Sequence, residues 1–233
     1  MPEVGLEKLR LIDVYYNLTN PDIKASVTIA NVQGNFSPDL WDENNRASAL
    51  CLEGNAICEN ESIVVGSYEL PLGVKGGFRE NRAPKYKSLF GSDVGVEIAK
   101  KEGVESRDQI TDLYIPQVLQ VSIPDAAPVL ADGYSISWNP DELNENGVYI
   151  VLHYSPHENP ENSYGYTRSQ YGYVHVPDNG NYVFKKQDFE YIPGGNSLVR
   201  LTVLRGNFDL PTVEGEQLRI LAYSEVYGYA RVQ

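Results

Sequence analysis

No window of about fifteen residues in this chain carries a sustained apolar repeat at i, i+3, i+4 and i+7, so amphipathic helices are not its building unit. What recurs instead is a short run rich in Val, Ile, Tyr and Thr, closed by Gly, Pro, Asn or Asp. Lys24–Val32 sets Ala25, Val27 and Ile29 against Lys24, Ser26 and Thr28, the alternation of a half-buried strand. Tyr134–Trp138 sets Tyr134, Ile136 and Trp138 against two serines. Val148–Tyr154 is apolar on both faces, as a central strand is. Further strands are expected over 9–16, 47–52, 62–70, 93–99, 117–123, 171–176, 182–184, 198–204 and 218–223. Residues 94–105 read either as a short helix or as a strand followed by a turn.

Pro116, Pro124 and Pro128 punctuate the middle of the chain, where each removes a backbone donor and excludes a central-strand position. Such a segment links β-domains or forms their edge strands. The predicted fold is therefore all-β, with two antiparallel β-sandwich domains over 1–115 and 116–233, and 233 residues suit that division.

Charge narrows the partners. The net charge of −13 is spread evenly, with 12 basic and 18 acidic side chains in 1–115 and 7 and 14 in 116–233. A chain without a basic face is a poor nucleic-acid binder. No 18-residue apolar run is present, so no transmembrane segment is expected. The opening MPEVGLEKLR lacks the apolar core of a secretory signal. The tyrosine-rich composition, 17 Tyr against 6 Phe, nevertheless points to an extracytoplasmic protein whose export signal has been removed; a cytosolic placement is the other reading.

Few motifs carry chemistry. Nucleophile-elbow, HExxH, P-loop and dinucleotide patterns are all missing from the sequence, so the expectation is a protein that is not an enzyme. A hydrolase on a β scaffold rests only on the number of carboxylates, 32 in all. His153, His157 and His175 are the three histidines; Pro156 lies between the first two, and no zinc site is expected of them. In Asn139–Gly147, Glu142-x-Asn144-x-Asn146-Gly147 follows the start of a calcium loop, but its twelfth position falls on His153, where a bidentate Glu is needed. An irregular calcium site there and a solvated hairpin loop both stay open, and no other cofactor is implied. Cys51 and Cys58 flank Glu53-Gly54-Asn55, which can turn sharply. They are a disulfide candidate, of roughly 2–3 kcal/mol by loop entropy, or two free thiols beside a turn.

Two groups of side chains could bind something. Lys75, Arg79, Arg82, Lys85 and Lys87 concentrate positive charge against Glu80 alone, with Phe78, Tyr86 and Phe90 between them. They form either a patch for an anionic glycan, carboxylate or phosphate, or a solvated hairpin. In SYGYTRSQYGYVHV, Val174 and Val176 share one face of a strand and Tyr171, Tyr173 and His175 the other. With the valines inward, the aromatic row stands outward, and Tyr164, Tyr166 and Arg168 precede it. Those six residues could stack and hydrogen-bond a sugar, contact a protein, or form the wall of the sheet.

SISWNP, VYIVLHYSP and LRILAYSEVYGYARV resemble the second, third and last two strands of fibronectin type III or immunoglobulin-like domains. Trp138 resembles the buried tryptophan of that family, and Leu210-Pro211 with Leu218-Arg219-Ile220 resembles its tyrosine corner, with Leu218 where the family has tyrosine. The resemblance covers the C-terminal half and implies a fold without a chemistry. The expected function is adhesion or protein assembly by a non-catalytic, cell-surface β-sandwich protein with a protein partner. The alternative is a carbohydrate-binding accessory protein with a glycan partner.

Overall fold

The computed structural model describes residues 9–16, 23, 25–34, 45–51, 56–59, 62–74, 81–82, 84–99, 107–125, 128–160, 168–193 and 195–233. The protein is all-β. Its strands are β1 (Ala25–Gly34), β2 (Asn45–Cys51), β3 (Ser62–Val65), β4 (Tyr68–Val74), β5 (Asn81–Arg82), β6 (Ser92–Ala99), β7 (Arg107–Ile115), β8 (Val121–Ser122) and β9 (Val129–Leu130), followed by β10 (Ser135–Trp138), β11 (Val148–Tyr154), β12 (Gln170–Val176), β13 (Asn181–Val183), β14 (Ser197–Asp209), β15 (Thr212–Val213) and β16 (Glu216–Val232). The described pairings are antiparallel except those of β2 with β4 and β16 with β9. Among the described residues no helix is long and apolar enough to cross a membrane.

The chain divides into two compact units. The first holds Met1–Asn31, Asp42–Val118 and Gly206–Tyr223; the second holds Val32–Trp41, Leu119–Arg205 and Ser224–Gln233. In the first unit the strands run in the order β16-β1-β2-β4-β3-β6-β7. The alternation expected of β1 is present: Ala25, Val27 and Ile29 are buried and meet Ile63, Leu70, Val94, Val96, Ile98, Leu218 and Ile220 in one core. The 94–105 segment resolves as strand over its first part, with Val94, Val96 and Ile98 of β6 inward.

Three expectations are corrected here. Residues 9–16, expected as a strand, hold the helix α1 (Leu11–Tyr15), which buries Leu11, Ile12 and Val14. The Asp13 carboxylate accepts bonds from the Arg10 backbone N–H and from its guanidinium at 2.8–3.1 Å. Residues three apart point to opposite faces of a strand but meet on a helical turn. The bonds from Arg10 hold the Asp13 carboxyl below its usual range. Residues 62–70, expected as one strand, are a hairpin of β3 and β4 that turns at Gly66, where φ is +58°. Leu218–Val232, expected as two strands, is one, β16, and Gly228 continues it.

In the second unit a three-stranded sheet, β13-β10-β8, shares one core with the strands β12-β11-β14-β16. Ile136 and Trp138 come from the first sheet; Ile150, Leu152, Val199, Leu201, Val203, Val226 and Ala230 come from the second. β11 is paired on both sides, by β12 and β14, as its two apolar faces require.

Candidate functional site

The best-organised polar and aromatic group lies on the face of β11, β12 and β14 that points away from this core. Residues opposite one another in the ladder share a face. Tyr149, Val151 and His153 of β11 stand opposite His175, Tyr173 and Tyr171 of β12. On the other side they stand opposite Leu204, Thr202 and Arg200 of β14. Val174 and Val176 pack against the core, so Tyr171, Tyr173 and His175 point outward, as the parity of the sequence requires. Tyr171 is 60% exposed and Tyr173 43%, whereas Tyr149, Val151, Thr202 and Leu204 are buried.

The rings are ordered by cross-strand stacking. Tyr171 lies on His153 and His175 on Tyr149, each at 4.2 Å between centroids and within 7° of parallel. Tyr173 is tilted by 54° to Tyr149. The His175 Nε2 is 2.8 Å from the Asn146 carbonyl oxygen. Stacking between neighbouring strands requires ring planes that stand up from the sheet. One face of the Tyr171 ring therefore lies against His153.

Beside this row lies an ionic group that the sequence did not single out. The Arg200 guanidinium donates to Glu225 Oε1 at 2.8 Å and sits 4.0 Å over the Tyr227 ring. The Glu225 side chain is 4% exposed and that of Arg200 38%. The Tyr229 hydroxyl donates to Glu158 at 3.1 Å, and this bond raises its pKa. Burial holds the His153 pKa below the usual histidine value; the nearby Arg200 charge works in the same direction and Glu158 against it. His153 Nε2 and Arg200 Nε are buried with no hydrogen-bond partner among the described residues. The period-two pattern of Glu225, Tyr227 and Tyr229 is the signal that could have found this group, and it disappears when β16 is taken as two strands.

The other sequence candidates are described only in part. Tyr164, Tyr166, Lys75 and Arg79 lie outside the described residues, as do the side chains of Arg82 and Cys58. Arg168 is described and exposed. Lys85 and Lys87 are exposed on a 3-10 segment, Pro84–Leu89. The Lys85 ammonium lies 5.4 Å over Tyr68 and 5.1 Å over Tyr86, so its charge rests on rings of its own unit. Tyr86 and Phe90 pack into or against the core rather than standing between the cations as ligand contacts. Cys51 is buried and disulfide-bonded, and the sequence has one other cysteine, Cys58.

The Asn139–Gly147 loop is closed by its own bonds. Asn144 Nδ2 donates to the Gly147 carbonyl and to Asp178, and Asp141 Oδ1 accepts from the Leu143 N–H. No group of three or more His, Cys, Asp or Glu side chains able to hold a metal occurs among the described residues. A depression of about 230 Å³ in the first unit is lined by Asp108, Glu214 and Thr212 among others, without a histidine. No protein-family model matches the chain, and no curated protein is significantly similar to it in sequence.

Proposed function

We propose that this is a non-catalytic, extracytoplasmic protein that acts in adhesion or protein assembly, and that the β11–β12 face is its contact surface. One observation carries the reading: Tyr171 and Tyr173 are exposed large aromatics held in place by packed partners on a core strand. Rigid tyrosines give contact area at low entropic cost, and Tyr and Arg dominate the energetics of protein interfaces. The disulfide at Cys51 supports an oxidising compartment. A three-stranded sheet facing four strands across a core that includes Trp138 supports an immunoglobulin-like or fibronectin type III-like second unit.

The carbohydrate-binding alternative uses the same tyrosines, with Arg168 as a hydrogen-bond donor. Beads coated with the wild type should adhere to one another or to cells, and beads coated with a folded Tyr171→Ala/Tyr173→Ala variant should not. Equal adhesion by both would remove the face from the account. Glycan-array binding that the double variant loses would establish the alternative instead.

A further inference from the structure

The chain contains two Asn-Gly dipeptides, Asn146-Gly147 and Asn179-Gly180, both in the second unit. Such a dipeptide can react with itself, because glycine has no side chain to keep its own nitrogen away from the asparagine amide carbon. In a folded protein the outcome depends on what holds the glycine N–H. The two sites differ here. The Gly147 N–H donates to the Asn144 carbonyl at 3.3 Å, and the Asn144 side chain bonds back to the Gly147 carbonyl at 2.8 Å. The Asn146 carbonyl oxygen also lies 2.8 Å from His175 Nε2. Asn179 lies in the connection between β12 and β13 and is exposed. Its own N–H donates to the Pro177 carbonyl at 2.9 Å, but its side chain has no hydrogen-bond partner among the described residues. The Gly180 N–H likewise donates to no acceptor among them, and Gly180 takes φ +91°.

We infer that Asn179 is a site of self-modification, whose side chain closes on the Gly180 nitrogen and ends as isoaspartate or aspartate. The Gly180 amide loses its proton to hydroxide, and the nitrogen attacks the Asn179 Cγ. The new C–N bond forms as the Cγ–Nδ2 bond breaks, and the side-chain nitrogen leaves as ammonia with a proton taken from water. Water then opens the succinimide ring at either carbonyl. Opening at Cγ gives aspartate. Opening at the main-chain carbonyl gives isoaspartate, whose backbone is longer by one methylene. Nothing is oxidised or reduced, and water is the co-reactant. The position gives the change reach. Asp178, the preceding residue, accepts bonds from Arg205, the Trp138 indole and Asn144, and its side chain is 2% exposed. The Gly180 carbonyl accepts from the Trp138 N–H at 2.8 Å, and Asn181 pairs with Ser137. A methylene inserted between Asp178 and Gly180 moves one anchor against the other, and a second carboxylate arrives beside Asp178. The connection between β12 and β13 therefore loosens as the protein ages.

The intact protein, held for weeks in mildly alkaline buffer at body temperature, should be sampled by brief tryptic digestion and mass spectrometry. Peptide 169–185 holds Asn179 and peptide 108–168 holds Asn146. Conversion of amide to acid should be about three- to tenfold faster at Asn179 than at Asn146, the effect of one ordinary backbone hydrogen bond. In urea, which removes that bond, the two rates should come together. Labelling by a protein isoaspartate methyltransferase should follow the same time course, and Asn179→Gln, whose longer side chain closes the ring far more slowly, should lose it. Aged protein converted at Asn179 should unfold at lower urea than Asn179→Asp, which adds the charge without the methylene. Conversion at Asn146 as fast as at Asn179 in the folded protein, or none at Asn179 while urea allows it, would overturn the site. Aged protein with the urea midpoint of Asn179→Asp would overturn its reach to Asp178.

Discussion

Two arginines five positions apart on β14 do opposite jobs. Arg205 stands opposite Val148 on the core side of the sheet and Arg200 opposite His153 on the other. Arg205 is fully buried and bonds Asp178 at 2.9 Å, an aspartate whose side chain is 2% exposed. Asp178 also accepts from the Trp138 indole and from Asn144, and Arg205 donates to the Asn139 carbonyl. Arg200 pairs with a buried glutamate at a similar distance but keeps 38% of its own side chain in solvent. The first pair ties two loops to the core. The second places a cation, a carboxylate and an aromatic ring beside an exposed row of tyrosines. Geometry alone does not separate them; burial and setting do.

The largest effect should come from the buried pair. Asp178→Ala removes the carboxylate beside the buried Arg205 guanidinium and takes an acceptor from Trp138 and Asn144. A loss of about 3–5 kcal/mol is expected, read as a lower urea midpoint. A loss under about 1 kcal/mol would mean that water reaches Arg205 and the contrast fails. Glu225→Gln keeps the shape but removes the charge opposite Arg200, which solvent can still reach. Its cost should be smaller, about 1–2 kcal/mol on the same measurement. Arg200→Lys keeps the charge and loses the planar contact with Tyr227, so about 0.5–1 kcal/mol is expected. If Arg200→Lys cost more than Glu225→Gln, the ring rather than the carboxylate would be the main support of Arg200.

The sequence makes some of this visible and hides the rest for physical reasons. Period two is local, so the burial of β1, the two apolar faces of β11 and the outward row Tyr171, Tyr173 and His175 follow from residue order alone. The helix at 11–15 is hidden because its apolar residues suit either backbone, and only the Arg10–Asp13 pair distinguishes them. Gly66 and Gly228 look alike as isolated glycines in apolar runs. One takes φ +58° and turns the chain, and the other lies within a 17-residue strand. The Arg205–Asp178 pair spans 27 residues and two elements. Nothing in LRGN or PDNG announces it, since such a pair is set by which strands become neighbours. The Arg200 group is hidden for the same reason.

The smallest effect concerns protons. His153 lies on the Arg200 side of the comparison, stacked on Tyr171, with Arg200 opposite it and Glu158 nearby. Its pKa in the folded chain lies below the ordinary 6.5, first because of burial. The unfolded chain therefore takes up the proton at a higher pH than the folded one. Between the two values the unfolded state binds more protons, so unfolding free energy rises with pH. The contribution of His153 is fully present above 6.5 and is lost as pH falls through the folded value. Carboxylates also titrate toward the acid end, so the useful quantity is a difference. Melting temperature measured from pH 8 to pH 5 should fall more steeply for the wild type than for His153→Gln, and the two curves should part just below pH 6.5. Parallel curves would mean that Glu158 balances burial and Arg200 together. His153 would then add nothing to the pH dependence of stability, and the contrast between the two sides of β14 would rest on burial alone.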